Sequence, residues 1–212
     1  ATLPDGSVYE GSFINGVFDG KGTLILDNGN IYEGEFKNGL TNGSGKLKWK
    51  NGNTYEGEFK DGLPNGKGIF RWASGSEYIG YFRNGKPEGK GVAKWESGNR
   101  YEGDFSDGVL SGKGRFVWAN GDRYEGDFKN GLLNGNGVML FASGDRYTGE
   151  FKDGLMEGRG VFILSNGDRY EGDFRNDVPH GMGKFIWANG DRYEGLFKNG
   201  DVDENAEYRI HK

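Results

Sequence analysis

The sequence holds no cysteine, four prolines and two histidines in 212 residues. Without cysteine there is neither a disulfide framework nor a thiolate metal site, and the absence suits a reducing, cytoplasmic setting. The histidines, His180 and His211, cannot be joined to a serine and an acid in a nucleophilic triad. No apolar run approaches the ~20 residues of a membrane helix, and no basic and apolar signal segment opens the chain. The formal net charge of −5 leaves no broad cationic footprint, so nucleic acid is not an expected partner.

Glycine is abundant: 42 residues, one in five, against a usual share of roughly 7%. Its placement is regular. Tyrosine recurs at 9, 32, 55, 78, 101, 124, 147, 170 and 193, every 23 residues without insertion or deletion. Phenylalanine stands four after each tyrosine, and all five tryptophans, Trp49, Trp72, Trp95, Trp118 and Trp187, stand seventeen after one. Every glycine falls two, seven, eleven, thirteen or twenty residues after a tyrosine, once Gly6 is counted with a preceding partial unit. Such a lattice excludes collagen and flexible linker and indicates a repeat array.

Within a unit, Arg123-Tyr124-Glu125-Gly126-Asp127-Phe128-Lys129 alternates with period two, as a strand does. Asn130 to Gly135 then reads as a glycine-rich loop, Gly137 to Phe141 as a second strand, and Ala142 to Asp145 as a turn. Each repeat is predicted to be a β-hairpin and the chain an all-β, single-layer antiparallel meander of nine repeats. Side-chain alternation requires an odd number of unpaired residues between repeats. A loop of Asn120-Gly121-Asp122 would set Trp118 opposite Tyr124, Phe116 opposite Gly126 and Gly114 opposite Phe128, with rings over glycines. Two glycine positions thereby gain a packing role and the other three read as turns. Eighteen strands at ~4.8 Å spacing predict a ribbon on the order of 80 Å long.

The recurring Tyr-Glu-Gly-Asp/Glu-Phe-Lys-Asn/Asp-Gly with a following Asn-Gly-Lys-Gly resembles the MORN repeat (membrane occupation and recognition nexus), almost continuously over residues 7 to 200. The resemblance implies a rod-like, twisted and grooved sheet. It also implies a non-enzymatic scaffold or binding module in cytoskeletal, ciliary, membrane-contact or signalling proteins. Family members are dimeric, hold a partner helix in a groove, or adjoin catalytic domains. A phospholipid-targeting module and a non-catalytic arm of a larger enzyme are the alternatives it leaves open. Residues 1–6 are expected to be the tail of a truncated preceding repeat, with Leu3 at the tryptophan position of what reads as a fragment of a longer protein. Residues 201–212 are expected to form a polar C-terminal cap, in which Glu204 and Ala206 replace glycines while Tyr208 and Ile210 stay on the aromatic lattice.

No catalytic, cofactor or metal residues are expected. Paired acids such as Glu125 and Asp127 recur from unit to unit, as a scaffold pattern does and a unique active site does not. The asparagine and aspartate spacing lacks a calcium-loop pattern, and the glycines lead into strands rather than a phosphate-binding helix. Two surfaces are candidates for partners. The aromatic face carries Tyr55, Phe59, Trp72, Tyr78, Phe82, Trp95, Tyr101, Phe105, Trp118, Tyr124 and Phe128. A groove there would take an amphipathic helix or peptide; alternatively these rings pack on one another. The outer face turns apolar at Ile79, Tyr81, Val138, Leu140, Val161, Ile163, Ile186 and Leu196, candidates for a homodimer or partner contact, with Leu196 taken to lie beside Ile186. Basic Lys46, Lys48, Arg71 and Lys94 give anionic lipid its local support.

Overall fold

The computed structural model describes residues 1–203 and 209–211. It comprises two compact units, Ala1–Val109 and Leu110–Lys212, each an open antiparallel meander of hairpins. In the first, seven-residue strands bear the tyrosines: β1 (Val8–Ile14), β3 (Ile31–Lys37), β5 (Thr54–Lys60), β7 (Glu77–Arg83) and β9 (Arg100–Ser106). Nine-residue strands alternate with them: β2 (Val17–Ile25), β4 (Leu40–Lys48), β6 (Leu63–Arg71) and β8 (Lys86–Lys94). The second unit repeats the scheme with β10 (Val109–Val117), β11 (Arg123–Lys129), β12 (Leu132–Leu140), β13 (Arg146–Lys152), β14 (Leu155–Ile163), β15 (Arg169–Arg175), β16 (Val178–Ile186) and β17 (Arg192–Lys198). It ends in β18 (Asp201–Val202) and β19 (Arg209–His211).

The hairpin reading holds, but the connections differ from expectation. The loop within a repeat is only Asn130-Gly131, with Lys129 paired to Leu132. Both turn residues have positive φ, 51° and 81°, the combination that suits a two-residue turn to the twist of its strands. Between repeats, five residues rather than three are unpaired. Phe116 therefore stands opposite Tyr124, Gly114 opposite Gly126 and Gly112 opposite Phe128. The Trp118 N–H donates to the Asp122 carbonyl and the Gly121 N–H to that of Trp118, both at 3.0 Å. These bonds make Trp118 a turn residue. Leu3 to Ser7 closes the same turn, at 2.8 and 3.0 Å.

The glycine eleven after the tyrosine is not in a turn. Gly135 lies inside β12 with φ 65°, where the ladder slips from Gly126↔Gly137 to Asp127↔Asn134. Two extra residues are accommodated on the longer strand, and a left-handed backbone at the bulge favours glycine. The Asp127 carboxylate accepts the Asn136 N–H at 3.1 Å across this bulge, and Glu150 accepts that of Arg159 likewise.

The core is one face of aromatic rings. The repeat tyrosines before Tyr193 lie along their own hairpins over a glycine pair, where a Cβ on Gly126 would stand 2.6 Å from the Gly137 Cα. Each hydroxyl donates to the carbonyl three residues on, as Tyr147 does to Glu150 at 2.9 Å. The glycines are thus bare beneath tyrosine, not beneath the phenylalanines predicted to cover them. Phenylalanines then meet the tyrosines edge to face: Tyr147 lies 5.1 Å from Phe151 and 4.9 Å from Phe174, and the pattern recurs in both units. Each such pair contributes about 0.5–1.5 kcal/mol beyond burial, so one repeat stabilises the next.

Turn side chains add a second ladder. Asp122, Asp145 and Asp168 accept the backbone N–H twenty residues ahead, at 2.7–2.8 Å. Asp177, which replaces a turn glycine, keeps φ at 69° and accepts the Met156 N–H at 2.8 Å. His180 is a rung of the same kind, its Nδ1 accepting the Asn199 N–H at 3.5 Å. In the last hairpin Ile210 stands opposite Tyr193, seventeen residues on rather than the fifteen that separate Tyr170 from Phe185. Glu204, Ala206 and Tyr208 of the predicted cap lie outside the described residues.

Candidate functional site

Because the tyrosine face is filled, the open relief lies on the opposite, charged face. There a single row of cross-strand-paired glycine backbones, whose Cβ positions face the tyrosine rings, runs between two rows of side chains. In the first unit this makes a groove of about 1130 Å³ running from Glu10 and Lys21 to Ile79 and Tyr81, floored by Gly11, Gly22, Gly34, Gly45, Gly57, Gly68 and Gly80. Its walls are acidic at Glu10, Glu33, Glu35, Glu56 and Glu58, basic at Lys21, Lys46 and Lys67, and apolar at Ile69, Ile79 and Tyr81. Several of these charges are already engaged. Lys46 lies 3.9 Å from Glu56, Glu58 accepts the Lys67 N–H at 3.2 Å, and the Lys67 ammonium stands 5.6 Å from the Tyr81 ring centre. A shallower groove of about 580 Å³ lies on the same face of the second unit, among Arg159, Val161, Glu171, Met182, Lys184 and Glu194.

The predicted aromatic residues divide sharply. Tyr55, Phe59, Tyr78, Phe82, Tyr101, Phe105, Tyr124 and Phe128 are all 6% exposed or less. They pack on one another, the alternative stated for them above, because every ring is capped by the next. Trp72 and Trp95 remain exposed, at 41% and 37%, and Trp118 is half-buried against Phe116 at 4.5 Å. Burial pushes the Tyr32, Tyr78, Tyr101 and Tyr170 hydroxyls up to about 12.

The outer-face residues form distinct groups. Ile79 is exposed between Ile69 and Val92, and Tyr81 lies opposite Lys67. Val138 and Val161 flank Thr148; Leu140 and Ile163 flank Arg146. Ile186 lies opposite Arg192, whereas Leu196 lies opposite Met182, so Leu196 and Ile186 are not neighbours across the ladder. Met182 is 53% exposed and escaped the sequence reading, although it replaces the polar residue usual twelve after the tyrosine. Of the basic residues offered for lipid, Lys46 is paired as above, and Arg71 and Lys94 contact Glu77 at 2.9 and 3.7 Å. Asp127 is held below the usual carboxylate range, first by its hydrogen bond from Lys113 and also by the Asn136 N–H. The recurring carboxylates thus close bulges and pair across strands.

These features define an all-β hairpin-repeat protein in which similar repeats stack through an aromatic ladder and present a channel floored by glycine backbone on the other face. The chain belongs to the MORN repeat family, whose profile matches residues 9–31, 32–54, 55–77, 78–100, 101–123, 124–146, 147–169 and 170–192. Eight units match, not nine; the ninth carries the altered hairpin after Tyr193. No curated protein matches the chain. Among solved structures, it is similar to the wild-type TCP10 domain of Danio rerio CPAP, at 12% identity and a TM-score of 0.53, covering 100% of this chain and 98% of that one. It is also similar to the G-box domain of the microcephaly protein CPAP, whose structural analysis suggests a role in centriole elongation for that protein. There the identity is 14% and the TM-score 0.52, with 91% and 99% covered. At these identities the likeness is one of fold.

Proposed function

We propose that the chain is a non-enzymatic scaffold that holds a segment of a partner protein along the glycine-floored groove of its first unit, within a cytoplasmic assembly associated with cytoskeleton or membrane. The observation that carries this reading is the groove itself. It is open over seven strands, β1 to β7, and walled by mixed charges, and it ends in the apolar pair Ile79 and Tyr81, where neighbouring repeats have two acids. A peptide or helix there meets backbone directly, with small residues against the floor and charged ones against the walls. The test is affinity capture followed by mass spectrometry with wild type and the double variant Ile79→Glu/Tyr81→Glu, which restores the acids of the other repeats and so leaves the fold intact. A specific partner should be lost; its undiminished recovery would refute groove binding.

The exposed edges of Trp72 and Trp95 favour a second reading, docking on the tryptophan side, for which Trp95→Ala and Trp118→Ala are the corresponding variants. Homodimerisation and anionic-lipid binding are separate proposals. Light scattering reading a doubled mass would support the first, and phosphoinositide-independent liposome sedimentation at physiological salt would remove the second.

A further inference from the structure

In the second unit, arginine precedes each tyrosine of β11, β13, β15 and β17, and the strands between them place aliphatic residues directly opposite. Arg123, Arg169 and Arg192 have a glutamate two residues on, on the same face. Arg169 uses its own, with Nη2 2.8 Å from the Glu171 carboxylate. Arg146 is different. Thr148 occupies the glutamate position, and Arg146 makes no ion pair among the described residues. Leu140 and Ile163 stand opposite it on the two flanking strands, both exposed, with Val138 and Val161 one step further along the face beside Thr148. The nearest acid in sequence, Asp145, is committed to its turn, accepting the Ser165 N–H at 2.7 Å and the Ser143 hydroxyl at 2.8 Å. Glu150 caps the Arg159 N–H. Arg123 and Arg192 make no ion pair among the described residues either, but each keeps a glutamate two residues on. At Arg146 no acid stands there, and the guanidinium is framed by four aliphatic side chains.

From this we infer that the Arg146 patch is a docking site for an acidic amphipathic helix of a partner protein, independent of the first unit's groove. Charge complementarity selects the occupant: a guanidinium in an apolar frame has five donors to offer and is matched by a carboxylate flanked by apolar side chains. Spacing selects the helix. Leu140 and Ile163 lie on strands on either side of β13, about 10 Å apart by the strand spacing. Two helical residues seven apart are separated by about 10.5 Å. A helix crossing the strands therefore places apolar residues seven apart on Leu140 and Ile163, with an aspartate or glutamate between them over Arg146.

The test uses the full chain and two labelled synthetic helices, each with leucines seven residues apart and, four after the first, either glutamate or lysine, read by fluorescence anisotropy. The glutamate helix should bind, and the lysine helix should bind at least about tenfold more weakly, as expected for loss of a charge-assisted contact. Thr148→Glu recreates the Arg169–Glu171 arrangement and should weaken the glutamate helix by a similar factor, with circular dichroism and the unfolding midpoint unchanged; Arg146→Gln should do the same. Equal affinity for both helices, no effect of Thr148→Glu, or no binding at millimolar peptide would overturn the assignment. So would a concentration-dependent doubling of mass, or binding to phosphatidylserine vesicles, that Thr148→Glu abolishes while neither helix binds, since the site would then serve a second copy or a membrane.

Discussion

Gly149→Ala tests the idea that glycine here exists to admit tyrosine. Gly149 is not among the residues with positive φ, so alanine meets no backbone objection. The added Cβ, however, would stand 2.5 Å from the Arg159 carbonyl and from the Tyr147 hydroxyl and 2.6 Å from the Gly160 Cα. Two of these atoms are backbone and cannot yield without opening the β13–β14 ladder, and the third belongs to a ring with no exposed surface. Overpacking of this kind costs about 1–3 kcal/mol. Displacing the ring forfeits its hydrogen bond to Glu150, another ~0.5–1.5 kcal/mol, for a total of roughly 2–4 kcal/mol. Gly154→Ala is the control. Its site has φ +93° with nothing within 4 Å, so its cost of about 1–2 kcal/mol is backbone alone and leaves Tyr147 in place. Urea unfolding gives the totals, and hydrogen exchange locates the loss in β13 and β14 for Gly149→Ala. A Gly149→Ala protein within about 0.5 kcal/mol of wild type, with Tyr147 protected, would refute the packing argument.

Alkali should unfold the protein through its tyrosines. Their folded pKa values, about 12 for Tyr32, Tyr78, Tyr101 and Tyr170, exceed the ordinary value of about 10, so the unfolded state releases protons first. Stability is then full below about pH 10 and falls between 10 and 12. Phenolate absorbance should rise together with loss of the sheet, and full titration near pH 10 with the fold intact would contradict this. At Asp177, replacement by alanine keeps the strained φ and loses the bond to Met156, so it should destabilise by about 1–2 kcal/mol. Asp177→Gly trades that bond for relief of strain and should stay closer to wild type in thermal melts. Tyr78→Ala should cost about 3–5 kcal/mol, as core aromatics do, whereas Trp72→Ala, exposed at a turn, should cost far less by urea titration.

The period of 23, the hairpin within it, the aromatic face and the role of glycine under rings were all legible because each is a matter of spacing and parity. Parity was also the limit of that reading. A turn of five residues in place of three, and a bulge of two, each shift the ladder by an even number and leave every side chain on its face. Alternation therefore could not distinguish Trp118 opposite Tyr124 from Phe116 opposite Tyr124. Tertiary structure decided it: the five-residue turn sets Gly114 opposite Gly126, so the glycine row runs on from one repeat into the next. Packing decided which face is open. Rings that cap one another fill the aromatic side, so the channel lies on the charged side, between the two rows of side chains that flank the glycine backbones. Ile79 and Tyr81 were already candidates from the sequence; Thr148 was not marked there, and it mattered only once the register set Leu140 and Ile163 beside Arg146.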